Sequence, residues 1–220
     1  MTVELGAVLF DMDGTLVDTE RLWWEATAAV AESIGRPLTD HDEPAVTGRP
    51  VTYTADFLLA TSGSDISLDA LAAALEDTFA LRVQEQLLPR PGAIELLESL
   101  ADKGIPTAIV SASPRRVVDL VATTLGSRLF ATTVAVEDTD YTKPSPDPYE
   151  LAAAIIGVEP GACVAVEDTQ IGADAAEAAG CAVLVVPSEG QQIPTSSRRT
   201  LYASLQGLGI GDLEQVLDRS

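Results

Sequence analysis

The chain has 220 residues, 46% of them hydrophobic and 21% charged, which suits one α/β core of ordinary size with an inserted subdomain. A formal net charge of −21 excludes a nucleic-acid partner, because phosphate backbones need clustered Lys and Arg, and it obliges any anion-binding site to place its cations locally. No apolar run approaches the length of a membrane span, and Met1 to Gly6 lacks the basic patch and apolar stretch of a secretion signal, so a cytoplasmic protein is expected.

In chain order, the first apolar run is Ala7–Phe10, short and uniformly hydrophobic like a buried parallel strand. A long segment with helical periodicity follows, at Arg21–Ile34, Tyr53–Thr61 and Leu68–Val83, before Pro89, Pro91 and Gly92 interrupt it. A helix over Ala93–Ala101 leads into the next strand-like run, Thr107–Val110. Beyond it, helical stretches at Arg115–Leu125, Pro148–Ile156 and Ile171–Ala179 separate the runs Thr132–Val136, Cys163–Val166 and Ala182–Val186. Strands alternating with helices predict an α/β fold, a parallel Rossmann-like sheet with right-handed crossovers.

The gap between the first two runs is far longer than one crossover helix needs. It predicts an α-helical subdomain at 19–88, inserted into a core made of 1–18 and 89–220, with hinges near Val17–Thr19 and Leu88–Pro91. Pro187–Thr200 reads as a polar surface loop leading to a terminal helix at Gly211–Leu217. Cys163 and Cys181 read as small buried apolar side chains in a reduced protein.

Ligands of open parallel sheets bind beyond the carboxyl ends of the strands. There the chain places Asp11 and Asp13 after the first run, Ser111 after the second, Lys143 in the loop after the third, and Glu167 and Asp168 after the fourth. Several carboxylates with no His or Cys beside them suit a hard cation such as Mg²⁺, bound through oxygen. Lys143 is the second local positive charge. The single histidine, His41, lies in the inserted segment, so no histidine-activated nucleophile is available at the sheet edge. A carboxylate can itself attack phosphorus. Asp11, rigidly aimed by its strand, is the better nucleophile, and Asp13, before Gly14, suits the general acid and base.

Asp11-Met12-Asp13-Gly14-Thr15 resembles the first motif of the haloacid dehalogenase-like phosphohydrolases. Val110-Ser111-Ala112-Ser113 resembles the second, Lys143-Pro144-Ser145-Pro146-Asp147 the third and Val166-Glu167-Asp168-Thr169 the fourth. The resemblance implies that Asp11 is nucleophile and metal ligand, while Asp13 ligates through its carbonyl and acts as acid and base through its side chain. It also implies that Ser111, the Ala112 N–H and Lys143 bind the phosphate. Asp168 would ligate Mg²⁺ directly and Glu167 through water. The helical insert resembles the C1 cap of the branch holding sugar-phosphate phosphatases and β-phosphoglucomutase.

These expectations compete with plainer ones. Asp13 alone reads as a turn cap, Lys143 as a solvated lysine and Ser111 as a helix N-cap. Trp23 and Trp24 read first as core of the insert, with Trp23 a candidate substrate contact. Arg49, after Gly48, is a candidate phosphate or sugar contact, and His41 a solvated loop residue. A phosphatase acting on a small phosphorylated metabolite is favoured over a sugar phosphomutase, because Trp23 and Thr47 stand where mutases usually have a cap histidine and lysine. Dehalogenases lack the second aspartate, and phosphonatases need a cap lysine that 19–88 does not contain. An idle binding protein on the same scaffold is the remaining alternative. The oligomeric state is left open, with a monomer favoured.

Overall fold

The structure is a computed structural model that describes residues 4–187 and 192–219. Its contacts divide the chain into two compact units, Asp18–Leu87 and the rest.

The larger unit is a parallel sheet of strands β1 (Ala7–Phe10), β2 (Thr107–Val110), β3 (Thr132–Val134), β4 (Cys163–Glu167), β5 (Ala182–Val185) and β6 (Arg199–Leu201). They lie in the order β3-β2-β1-β4-β5-β6, all neighbours parallel. The strands β1, β2, β4 and β5 are buried along their whole length, as their largely apolar sequences require when helices cover both faces. The strand β1 occupies the interior, registering Phe10 with Ile109 on one side and Val166 on the other.

Helix α6 (Asp147–Ile156) and helix α7 (Gln170–Ala179) pack on this sheet largely through alanines, with Ala152, Ala153, Ala173 and Ala176 fully buried beside Tyr149. Small side chains allow that close approach, and Gly172 makes part of it. The Thr169 hydroxyl caps α7 by accepting the Gly172 N–H at 3.1 Å.

Two sheet expectations need correction. The third strand stops at Val134 rather than Val136, because the chain turns into a short 3₁₀ helix at Val136–Asp138. Asp138 accepts the Ala135 N–H at 2.8 Å, and Glu137 accepts the Arg115 N–H at 2.8 Å. The stretch expected as a polar loop at 187–200 contributes to the edge strand β6, while residues 188–191 of it lie outside the described residues. The strand β6 has no apolar run to announce it and exists through pairing with β5. Arg199 buries its guanidinium there against Asp174, at 2.5 Å, and Glu177.

The smaller unit contains helices α1 (Thr19–Ser33), α2 (Val51–Ser62) and α3 (Leu68–Gln86), within a few residues of the expected spans. Its own core joins Val30, Ala31, Ala55, Leu58, Leu71 and Leu75. A 3₁₀ helix at Asp40–Ala45, unannounced by any periodicity, is tied down when Asp42 accepts Arg36 bidentately at 2.9 and 2.7 Å. No helix among the described residues is long and apolar enough to cross a membrane.

Candidate active site

The ends of β1, β2 and β4 and the loop after β3 bring the polar groups of the larger unit together. Asp11 leaves β1 with its N–H still donating to Val166 O at 2.9 Å, which carries the strand's alignment into the site. Gly14 then takes φ 87°, a left-handed value that favours glycine, and its N–H donates to Val17 O at 2.8 Å. This tight turn fixes Asp13 beside Asp11.

Lys143 Nζ donates to Asp11 Oδ1 and to Glu167 Oε1, each at 2.7 Å. The Lys143–Pro144 peptide that follows is cis. One oxygen each from Asp11, Glu167 and Asp168 fall within 4.8 Å of one another, and all three residues are buried. On the other side, Asp13 Oδ2 accepts the Ser113 hydroxyl at 2.7 Å and the Ser111 hydroxyl at 3.3 Å. The Ser113 N–H in turn donates to Ser111 Oγ at 3.0 Å. Ala112 sits exposed between the two serines.

The electrostatics follow from burial. Desolvation pushes the Asp11 carboxyl well above its ordinary range; Lys143 opposes this, while Glu167, Asp168 and Asp13 add to it. Burial also disfavours the Lys143 ammonium, but Asp11 and Glu167 outweigh it and hold the lysine firmly protonated. Three crowded, buried carboxylates against one ammonium leave a deficit of positive charge. Asp11 Oδ2 is buried with no hydrogen-bond donor among the described residues. An all-oxygen donor set, an excess of negative charge and an unengaged carboxylate oxygen fit a hard divalent cation.

The expected residues Asp11, Lys143, Glu167 and Asp168 therefore meet, and Asp13 meets Ser111. Arg49 and Trp23 lie in the helical unit and make their described contacts there. The Trp23 indole donates to Val46 O at 2.9 Å and packs edge-on against Phe79. Arg49 donates to Pro44 O at 3.0 Å and stacks over the Tyr53 ring. Trp24, next to Trp23 in sequence, instead lines a cavity of about 400 Å³ in that unit, with Arg21, Asp40, Glu43 and Thr47. His41 is exposed, as expected.

Two participants escaped the sequence reading. Ser113 holds Asp13 more closely than Ser111 does, and only its place in Ser111-Ala112-Ser113 hinted at it. Tyr149, wholly buried, donates its hydroxyl to Glu167 Oε1 at 2.5 Å. A tyrosine on an otherwise alanine-rich apolar face was the available signal, since a buried phenol needs a partner.

Comparison with known proteins agrees with this geometry. Residues 5–180 match the family model of the haloacid dehalogenase-like hydrolases. The chain is 33% identical over 174 residues to validoxylamine A 7′-phosphate phosphatase of Streptomyces hygroscopicus subsp. limoneus, covering 78% of this chain and 81% of that protein. It is 32% identical to hexitol phosphatase B of Escherichia coli K12, covering 86% of each. Among solved structures, CbbY from Rhodobacter sphaeroides in complex with phosphate superposes with a TM-score of 0.78 at 25% identity, covering 96% of this chain and 99% of that one. The chain belongs to the haloacid dehalogenase-like hydrolases and is an enzyme.

Proposed function

We propose that this hydrolase is a magnesium-dependent phosphatase of a small phosphomonoester, a sugar or polyol phosphate, working through an aspartyl phosphate on Asp11. The observation that carries the reading is the meeting of Lys143, Asp11, Glu167 and Asp168 at 2.7–4.8 Å from strand ends remote in sequence. The named substrates of the relatives, validoxylamine A 7′-phosphate and a hexitol phosphate, support the substrate class.

Asp11, Asp168 and the Asp13 carbonyl are the residues to hold Mg²⁺, with Glu167 behind them, and the ion supplies charge neutralisation for the transferring phosphoryl group. Lys143, Ser111 and the Ala112 N–H bind the phosphoryl oxygens. The Asp11 carboxylate attacks phosphorus and forms the new O–P bond as the ester O–P bond breaks. Asp13 gives its proton to the departing alkoxide. Asp13 then takes a proton from the water that cleaves the aspartyl phosphate, releasing inorganic phosphate and restoring Asp11. Catalysis on this scheme is positioning and charge stabilisation, as phosphoryl transfer demands. The helical unit is the cap that selects the leaving group, and the protein acts in the cytoplasm.

The test is phosphate release from p-nitrophenyl phosphate and from a panel of sugar, polyol and nucleoside phosphates, with and without Mg²⁺, beside an Asp11→Asn control. Magnesium-dependent release above the control supports the reading. Phosphorus NMR on glucose 1-phosphate with a bisphosphate activator would overturn it by showing the isomer and little free phosphate.

A further inference from the structure

The proposed chemistry depends on where one ammonium is held. Lys143 carries it on a flexible four-carbon stem, yet its side chain is only 6% exposed and fixed at both anchors at 2.7 Å. Two of its three N–H donors go to Asp11 and Glu167, which leaves the third for a phosphoryl oxygen. The lysine is therefore as well placed as its two anchors are. Asp11 is aimed by β1. Glu167, with a longer side chain, needs something else to fix it.

Two residues outside the four motif positions do so. Tyr149, on α6, donates to the same Glu167 Oε1 that accepts Lys143, and its ring centroid lies 5.1 Å from Lys143 Nζ. Turning this fully buried phenol elsewhere would strand its hydroxyl without a partner, so it stays in place. Gly172, in the first turn of α7, leaves the same carboxylate no room to shift toward it. A β-carbon there would lie 1.9 Å from Glu167 Oε1 and 2.1 Å from Oε2. The Thr169 hydroxyl approaches Oε2 at 3.4 Å. The carboxylate is boxed between a donor on one helix and a bare backbone on another.

We propose that Tyr149 and Gly172 are positioning residues for the phosphoryl-binding lysine, fixing Glu167 as the anchor of Lys143. This adds to the metal-side role expected for Glu167 and rests on the phosphatase reading above. Tyr149→Phe is the informative change, since it keeps the ring and deletes only the hydroxyl.

Calorimetric titration of the full chain separates the roles, with MgCl₂ alone and then with inorganic phosphate in saturating Mg²⁺. Tyr149→Phe should weaken phosphate binding about tenfold, the factor that misplacing one charge-assisted contact brings, with Mg²⁺ affinity within about twofold of wild type. Gly172→Ala should show the same selective loss, and larger; if circular dichroism shows it unfolded, Tyr149→Phe carries the test alone. Unchanged phosphate binding in Tyr149→Phe, or Mg²⁺ affinity falling in step with it, overturns the proposal while leaving a phosphate-binding wild type as evidence for the phosphatase. A wild-type chain that binds no phosphate overturns both.

Discussion

Lys143 Nζ lies 2.7 Å from Asp11 Oδ1, although 132 positions separate the two residues in the chain. The pair unites the loop after β3 with the end of β1. It couples the proposed nucleophile to the charge that must steady its target.

Asp11→Asn is expected to cut turnover of p-nitrophenyl phosphate by several orders of magnitude, as deletion of a covalent nucleophile does. Retention of more than about a tenth of wild-type turnover would remove Asp11 from that role. Lys143→Ala should weaken phosphate binding and lower turnover together. Near-normal values of both would refute its assignment.

Asp42 is gripped by Arg36 through two N–H···O bonds and accepts the Thr39 N–H at 2.8 Å, so its carboxyl is held well below the ordinary range. A depressed native pKa stabilises the fold above the unfolded value, near 3.9, and that stabilisation is lost as pH falls toward the native value. Asp42→Asn should cost about 1–3 kcal/mol at neutral pH. The difference from wild type should shrink by about 1 kcal/mol at pH 3. Urea titrations at the two pH values would show it, and a gap that is independent of pH would count against the ion pair.

Gly92 has φ +88°, and a β-carbon on it would come within 2.4 Å of the Leu205 and Gln206 backbone. Neither strain nor clash can be relieved by turning a side chain. Gly92→Ala is therefore expected to lower stability by about 2–4 kcal/mol, seen as a reduced urea midpoint. A midpoint equal to wild type would contradict the packing described.

Burial pushes the Cys163 thiol up to about 11 and the Cys181 thiol up to about 12. Neither supplies thiolate at neutral pH, which makes both poor nucleophiles in the native protein. Iodoacetamide should modify them at pH 7.5 only after denaturant is added, as mass spectrometry would record. Rapid labelling of the native chain would disprove this.

Much of the larger unit was legible because its buried strands are written as short, mostly apolar runs, and four of the five expected runs lead to a chemically active residue. Asp11, Lys143, Glu167 and Asp168 were readable for that reason. The strand β6 was not, since Arg199-Thr200-Leu201 draws its conformation from a neighbour and not from its own composition. Tyr149 was hidden because a helix pattern records which face is buried, not where a buried hydroxyl points. The Arg36–Asp42 clamp was equally unreadable, being a matter of a loop arginine meeting an aspartate of a short 3₁₀ helix in space. Trp23 shows the reverse case, in which an eye-catching residue spends its indole N–H on Val46 O inside its own unit.

The interior place of β1 has a consequence for biosynthesis. Its sheet neighbours begin at Thr107 and Cys163, so Ala7–Phe10 is synthesised long before either strand that can hydrogen-bond to it. The intervening helices carry their own core and can condense early, through contacts local in sequence. A released chain ending before Thr107 should accordingly protect amides in α1 and α3 from exchange while leaving those of Ala7–Phe10 open.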